Sequence, residues 1–328
     1  MSARILVVGA GSWGTAMALL LARKGAQVAL LARRPEHAQA MLETRENKSF
    51  LPGVRLHENI EPSGTSPELK RFSWCFCAVP TRFIRTTFSP LAQSFPPGLP
   101  VVSLAKGIEQ ESMLFPTALL KQVLHANHVL TLSGPSHAEE VARELPASVV
   151  IAGDPTKARE LQQLVSARTF RAYITDDLVG VELAGAAKNV VAIAAGILEG
   201  LRFGDNAKAA LVARGLAEIT RLGVALGAKE RTFYGLSGVG DLYTTCASPF
   251  GRNRAFGIKI GSGRKPEEIL AEQEMEVEGF NTAKALAALA RQTGVQMPIV
   301  EQACRVLYEG VNAKTAVVEL MTRDLKSE

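Results

Sequence analysis

The stretch Leu178–Gly200, LVGVELAGAAKNVVAIAAGILEG, constrains this chain more than any other. By length and apolarity it could cross a bilayer, yet Glu182, Lys188 and Asn189 interrupt it. A charge at mid-span costs roughly 2.5–3.5 kcal/mol on insertion scales, so the stretch reads as a buried helix of a soluble protein. Thr175, Asp176 and Asp177 lie just upstream, where a cap and an acidic first turn belong. Gly180, Ala184, Gly185, Ala187, Ala192 and Ala195 carry little bulk, so other backbone, or a flat ligand, can approach closely.

Lys188 is expensive in such a helix unless it is paired. At ~100° per residue Glu182 falls on nearly the opposite face, and Glu199 returns to the same face about three turns away. The helix therefore cannot neutralise its own lysine. Either Lys188 reaches out to water along its stem, or a partner from elsewhere holds it beside a ligand.

The chain has 328 residues, enough for two domains at ~150 residues each. Its 47% hydrophobic content allows a full core. A net charge of +5 suits a small anionic ligand. Its basic residues are too scattered, and its aromatic residues too few, for a nucleic-acid surface. Cys75 and Cys77 lie two apart in an apparent strand and share a face, which suits core packing. No C-x-x-C pair or His/Cys cluster occurs, so no metal site is expected. The N-terminus runs directly into a strand, and a cytoplasmic protein with reduced thiols is expected.

Arg4–Val8 is an apolar run ending in Gly9-Ala10-Gly11-Ser12-Trp13-Gly14, then a helical segment closing on Gly25 and a second strand at Gln27–Ala32. Strand, G-x-G-x-x-G, helix, strand is the pattern of a dinucleotide-binding unit. Gly9 permits the tight turn, Gly11 lets a pyrophosphate approach the backbone, and Gly14 lets helix and strand pack. The helix N-terminus offers free N–H groups to the phosphates. The second strand ends in Arg33-Arg34-Pro35-Glu36, with no acid where a ribose 2′-hydroxyl would be bound. Two arginines suit a 2′-phosphate, which favours NADPH, with some NADH use admitted through Glu36.

Residues 35–47 read as helix, 47–59 as loop, 81–94 as helix and 111–124 as helix. Strands are expected at 71–80, 100–104, 129–133, 148–152 and 169–174, the last two separated by a helix at 156–167. Lys106 follows a strand end, where open α/β sheets bind ligands. Gly134, Ser136, His137 and Ala138 follow another. His137, in the first turn of a helix, reads as structural or exposed rather than as a base. The first 177 residues are thus expected to form an α/β Rossmann-like doubly wound sheet.

After residue 175 the strand signals stop, and residues 178–328 read as an all-α substrate-binding domain. Helices are expected at 178–200, 205–226, 266–272, 281–293, 298–309 and 313–322. Residues 234–241 read as a flexible glycine-rich break before a short helix. Asp241, which closes that break, is the candidate partner for Lys188. Arg252-Asn253 offers a guanidinium and an amide suited to a phosphate.

The motifs GAGSWGTA (9–16), SLAKGIE (103–109), LSGPSHAEE (132–140), VELAGAAKNVVAIAAG (181–196), LSGVGDLYTTC (236–246), GRNRAFG (251–257) and EVEGFNTAK (276–284) occur in one order along the chain. In this the chain resembles bacterial NAD(P)-dependent glycerol-3-phosphate dehydrogenases over essentially its full length. The resemblance implies reversible reduction of dihydroxyacetone phosphate to sn-glycerol 3-phosphate for phospholipid synthesis, usually by a homodimer. It implies Lys188 as proton donor and acceptor. Lys106 would touch both substrate and cofactor, and Asp241 would complete the catalytic set. Gly134, Ser136, Asn189, Asp241, Arg252 and Asn253 would be substrate contacts. Ser12, Trp13, Arg33, Arg34, Ala138, Arg252 and Glu278 would be cofactor contacts. Gly251 departs from the serine many members carry, and Glu276 from a common valine.

On this reading the cofactor delivers a hydride and the Lys188 ammonium protonates the developing alkoxide. Arg252 and Asn253 would fix the substrate phosphate. Two alternatives stay open: a related reductase of a β-hydroxy acid, and a non-catalytic nucleotide sensor.

Overall fold

Strand β1 (Arg4–Val8) reads as an unbroken apolar run because both its faces are covered. Ile5 and Val7 enter one hydrophobic cluster of the sheet, and Leu6 and Val8 enter the other. The computed structural model describes residues 3–272 and 275–325. By backbone contacts the chain divides into two compact units. Residues up to Lys106 and Leu114–Leu178 form one, and Gly107–Met113 with the residues from Val179 onward form the other.

In the first unit β1 is joined by β2 (Gln27–Leu31), β3 (Ile60–Ser63), β4 (Trp74–Cys77), β5 (Val101–Ser103), β6 (Val129–Ser133), β7 (Ala147–Ala152) and β8 (Phe170–Thr175). They form one sheet in the order β3-β2-β1-β4-β5-β6-β7-β8. Every neighbouring pair is parallel except β6 and β7. The helices of this unit are α1 (Ser12–Arg23), α2 (Pro35–Thr44), α3 (Ile84–Phe88), α4 (Pro116–Leu124), α5 (Ala138–Ala142) and α6 (Pro155–Val165). The order reverses at β1, whose neighbours are β2 and β4, and the glycine loop follows β1 at this switch point. Cys75 and Cys77 point into one cluster of the core, as their spacing suggests.

Three local readings need correction. β3 gave no sequence signal. It carries Pro62, which is tolerated because β3 lies at the sheet edge and pairs only with β2. Residues 81–94 are not one helix. They form 3-10 turns at Thr81–Phe83 and Ser89–Ser94 around the short α3, and Pro90, without an N–H, stands in the second turn. The helix expected from residue 111 begins only at Pro116. Met113 adopts a positive φ of 57°, and Pro116 is pre-set for a first helical position.

The second unit is helical: α7 (Leu178–Gly200), α8 (Gly204–Ala225), α9 (Glu230–Phe233), α10 (Asp241–Ala247), α11 (Arg252–Gly261), α12 (Pro266–Ala271), α13 (Glu278–Thr293), α14 (Pro298–Tyr308) and α15 (Ala313–Met321). Helix α7 is long and apolar enough to cross a membrane, but 94% of its most apolar window is buried within the protein. The stretch expected as a flexible break is instead a π-helical turn, Leu236–Gly240, that runs into α10. Ser237 and Gly238 are buried there. A side chain at Gly238 would collide with the carbonyl of Phe233.

Helices α7 and α11 cross through glycines. A Cβ at Gly196 would strike the carbonyl of Arg254, and one at Gly200 that of Ile258. From the other side, Gly257 meets the carbonyl of Ile193 and Gly261 that of Ile197. Each helix thus contributes two glycines four residues apart, on one face. Backbone touches backbone, a geometry that Cα–H groups and carbonyl oxygens support with weak hydrogen bonds.

Candidate active site

The glycine loop of the first unit has three distinct glycine environments. Gly9 has a φ of 109°, and a Cβ there would stand 2.7 Å from the carbonyl oxygen of Ala78. Gly14 packs so closely on Gly9 that any side chain would strike its carbonyl. Gly11 has open space where a side chain would be. The loop is therefore closed toward the sheet and open on one side, with the first N–H groups of α1 beside the opening. This fits a pyrophosphate, which needs close backbone approach and donors.

Side chains around the loop are already engaged. Ser12 donates its hydroxyl to the carbonyl of Phe50 at 2.6 Å. Trp13 packs half-buried on the core. Asn47, read from sequence only as part of a loop, is fully buried behind the glycines. Arg33 and Arg34 are exposed just past β2, and Arg34 precedes α2 at its N-cap. Gly64, after β3, lies so close to Pro35 that a Cβ would collide with it.

Lys106 ends the first segment of this unit. Its ammonium donates to the carbonyl of Gly134 at 2.9 Å, and the Ser136 hydroxyl donates to the same oxygen at 2.9 Å. Gly134 has a φ of 135° and lies against β7, so only glycine suits the turn. Lys106, Gly134 and Ser136 thus form one cluster at the carboxyl ends of β5 and β6. Ala138 is buried as the first residue of α5, and His137 stands at its N-cap.

In the second unit Lys188 is 6% exposed and does not reach out to water. Its ammonium forms a buried ion pair with Asp241, which is 2% exposed, and donates to the Thr245 hydroxyl at 2.7 Å. Thr245 in turn donates to the carbonyl of Asp241. Sequence reasoning anticipated Asp241 and missed Thr245. The signal was present, since Thr245 lies four residues after Asp241 and so on the same face of α10. A buried pair of this kind is favourable only when its remaining polar atoms are satisfied, and the hydroxyl contributes to that. Cys246 is buried next to this cluster. Burial pushes its thiol up to about 12, with Lys188 pulling the other way.

Asn189 and Asn253 form a second polar set. The Asn253 amide donates to Asn189 Oδ1 at 3.0 Å, and the N–H of Gly279 donates to Asn253 Oδ1 at 3.0 Å. Both asparagines are buried, so Asn253 links α7, α11 and the start of α13. Arg252, beside it, is exposed and donates to the carbonyl of Glu276 at 3.3 Å. Glu276, the departure from valine, accepts a hydrogen bond from Asn281. Glu278 is half-buried at the first position of α13.

Gly251, the other departure, caps α11, and a Cβ there would stand 2.7 Å from the carbonyl of Thr245. A serine at this position would push on the very residue that holds Lys188. Arg254, one turn into α11, is gripped by Glu199 of α7, which also accepts from Lys208. Burial works to raise the Glu199 carboxyl, but hydrogen bonds from Lys208 and Arg254 outweigh it and hold the group below its usual range.

Two family models cover nearly the whole chain. The NAD-dependent glycerol-3-phosphate dehydrogenase N-terminus matches residues 4–159, and the C-terminus of the same family matches residues 177–318. The chain belongs to the NAD-dependent glycerol-3-phosphate dehydrogenase family. It is 46% identical to the glycerol-3-phosphate dehydrogenase [NAD(P)+] of Geobacter sp. (strain M21), over 100% of this chain and 99% of that one. It is 48% identical to the enzyme of the same name from Moorella thermoacetica, over 98% and 97% of the two chains. The crystal structure of glycerol-3-phosphate dehydrogenase from Coxiella burnetii superposes with a TM-score of 0.94 at 34% identity, covering 98% of this chain and 99% of that one. As a member of this dehydrogenase family the chain is an oxidoreductase, and neither the β-hydroxy acid reductase nor the sensor alternative is favoured.

Proposed function

We propose that the chain catalyses the reversible, NAD(P)H-dependent reduction of dihydroxyacetone phosphate to sn-glycerol 3-phosphate, supplying phospholipid synthesis. The observation that carries this reading is the buried Lys188–Asp241–Thr245 cluster, in a chain matched end to end by glycerol-3-phosphate dehydrogenases. When bound, the reduced nicotinamide supplies the hydride. The Lys188 ammonium donates a hydrogen bond to the substrate carbonyl oxygen, stabilises the alkoxide that forms and gives it a proton. Asp241 and Thr245 keep that ammonium charged and aimed, and Asp241 compensates the charge again when the proton returns. Arg252 carries the substrate phosphate, with Asn253 fixing the start of α11. Lys106 orients the substrate from the Gly134–Ser136 cluster.

Residues 1–177 take the role of dinucleotide domain, where Gly9, Gly11, Gly14, Ser12 and Trp13 would hold the pyrophosphate end of the cofactor. Arg33 and Arg34, exposed past β2 with no acid at the strand end, support a preference for NADPH over NADH. Residues 178–328 take the role of substrate domain. A homodimer in the cytoplasm is the assembly and location that the family likeness supports.

The test is consumption of NADPH and of NADH, in parallel, with dihydroxyacetone phosphate. Turnover that requires the phosphate ester supports the reaction, and the ratio of the two rates tests the arginines. Tight NADPH binding with no turnover on this substrate would sink the assignment.

A further inference from the structure

We propose that Asn47 is a positioning residue for the dinucleotide, turning the N–H groups of Gly11 and Ser12 toward the pyrophosphate. The inference rests on the reading of the glycine loop given above, and concerns a residue outside that motif. Asn47 is 0% exposed, and both ends of its amide are engaged. Its Nδ2 donates to the carbonyl of Ala10 at 2.9 Å and to Thr15 Oγ1 at 2.7 Å. Its Oδ1 accepts from the N–H of Phe50 at 3.3 Å and lies 2.9 Å from His37 Nε2. A carbonyl can only accept and a backbone N–H can only donate, so these partners fix which way the amide points.

The consequence runs through the peptide planes. In a trans peptide the C=O and the following N–H point in opposite directions. Asn47 pins the Ala10 carbonyl inward, so the N–H of Gly11 points outward. Thr15 takes the second Asn47 hydrogen bond and passes its own hydroxyl proton to the Gly11 carbonyl at 2.8 Å. The backbone N–H of Thr15 bonds that same oxygen at 2.9 Å. This pins the next carbonyl inward, and the N–H of Ser12 points outward with it. Two successive donors are thereby turned away from the buried Asn47 side, at a glycine whose Cβ position is empty. The Ser12 hydroxyl, bonded to the Phe50 carbonyl, ties the same 47–50 segment to the loop a second time. Without Asn47 the Ala10 carbonyl loses a buried donor. The peptide can then turn over and present an oxygen to the phosphates, where a donor is needed.

The experiment uses the full chain with Asn47→Ala, Asn47→Asp, Thr15→Val and Thr15→Ser, measuring Kd for NADPH and NADH by nicotinamide fluorescence, and kcat at saturating cofactor. Both nucleotides carry the same pyrophosphate. Asn47→Ala and Thr15→Val are therefore expected to weaken both by the same factor, ~10-fold or more, leaving their ratio unchanged. Asn47→Asp, which sets a carboxylate oxygen against the Ala10 carbonyl, is expected to weaken both further. Thr15→Ser keeps the hydroxyl and is expected to bind within ~2-fold of the natural protein. In all four, kcat at saturation and KM for dihydroxyacetone phosphate are expected to hold within ~3-fold, since the loop binds rather than reacts.

Unchanged Kd values in folded Asn47→Ala, a changed NADPH/NADH ratio, or a loss confined to kcat would each overturn the assignment. If Asn47→Ala does not fold, the Thr15→Val and Thr15→Ser pair decides: equal affinities overturn it. Gly11→Ala tests the underlying reading. If that variant binds both nucleotides normally, the loop is not the pyrophosphate site and the Asn47 inference falls with it. If Gly11→Ala loses binding and neither Asn47→Ala nor Thr15→Val does, only the Asn47 inference fails.

Discussion

Two glycine sites, Gly11 in the first unit and the α7–α11 crossing in the second, serve opposite ends. At Gly11 the missing side chain leaves space that stays open, bordered by backbone donors. At Gly196, Gly200, Gly257 and Gly261 the missing side chains are replaced at once by the backbone of the other helix. The polar groups divide the same way. In the first unit, on the proposed reading, the donors offered to a phosphate are main-chain N–H groups held by side chains from behind. In the second, the polar work falls on buried side chains, Lys188, Asp241, Thr245, Asn189 and Asn253, packed among Ala and Gly. An open site can lose its ligand and keep its fold. A closed one couples its chemistry to its packing.

The strongest way to break that comparison is at Lys188. Lys188→Met is expected to lower turnover ~100-fold or more. It should also destabilise the fold by about 3–5 kcal/mol by leaving Asp241 buried without its partner. The double variant Lys188→Met/Asp241→Asn should recover most of that stability in urea unfolding and none of the turnover. Recovery of both would show that the pair is structural and not catalytic.

Next in size is Gly257→Ala. The added methyl meets a carbonyl that cannot rotate away, so the cost should reach about 3 kcal/mol, the upper end of overpacking. Thermal unfolding of the variant would measure it. A melting temperature equal to that of the natural protein would mean that α7 and α11 can slide apart. Gly11→Ala is expected to do the reverse, leaving the melting temperature of the free protein in place while weakening both nicotinamide cofactors ~10-fold. Calorimetric titration with NADH separates the two cases.

The smallest effect sharpens the comparison at a buried carboxyl away from the lysine. Glu218 of α8 accepts from the N–H groups of Ile299 and Val300 at the start of α14, with Arg221 and Glu301 nearby. Burial raises its carboxyl to about 7 from 4.5, against the pull of those hydrogen bonds. The folded state therefore holds a proton that the unfolded chain has released. That contribution is complete below the unfolded pKa and is lost as pH rises through the folded one. Stability should fall by about 1 kcal/mol per pH unit across the upper part of that window. Glu218→Gln should flatten the slope in urea titrations at a series of pH values. An unchanged slope would assign the effect to another group.

Much of this was legible in the sequence, where a physical argument excluded alternatives. Helical geometry removed Glu182 and Glu199 as partners for Lys188, and the ion pair with Asp241 answers that requirement. The glycine spacing after β1 identified the loop because each glycine has a separate steric duty. Thr245 was missed because Thr244 beside it offers the same hydroxyl, and only the four-residue spacing from Asp241 tells the two apart. Asn47 was missed because its role depends on two segments distant in sequence meeting behind the loop, and no periodicity encodes that. The edge strand β3 hid behind Pro62 and Glu61. The π-turn at Leu236–Gly240 hid behind glycines that read as slack, although Gly238 is there to let Phe233 close in.

The glycine crossing of α7 and α11 has one more consequence. Lys188 and Asn189 ride on one helix, Arg252 and Asn253 on the other, and at the four glycines the two helices meet backbone against backbone. At these glycines neither helix can shift by adjusting a rotamer, because no side chain stands between the two backbones there. On the proposed mechanism, the reach from the ketone to the phosphate of the substrate is then gauged by main-chain geometry, as by a fixed caliper. Discrimination against a substrate one carbon longer would be a property of the scaffold, and substitutions confined to the pocket wall would not relax it.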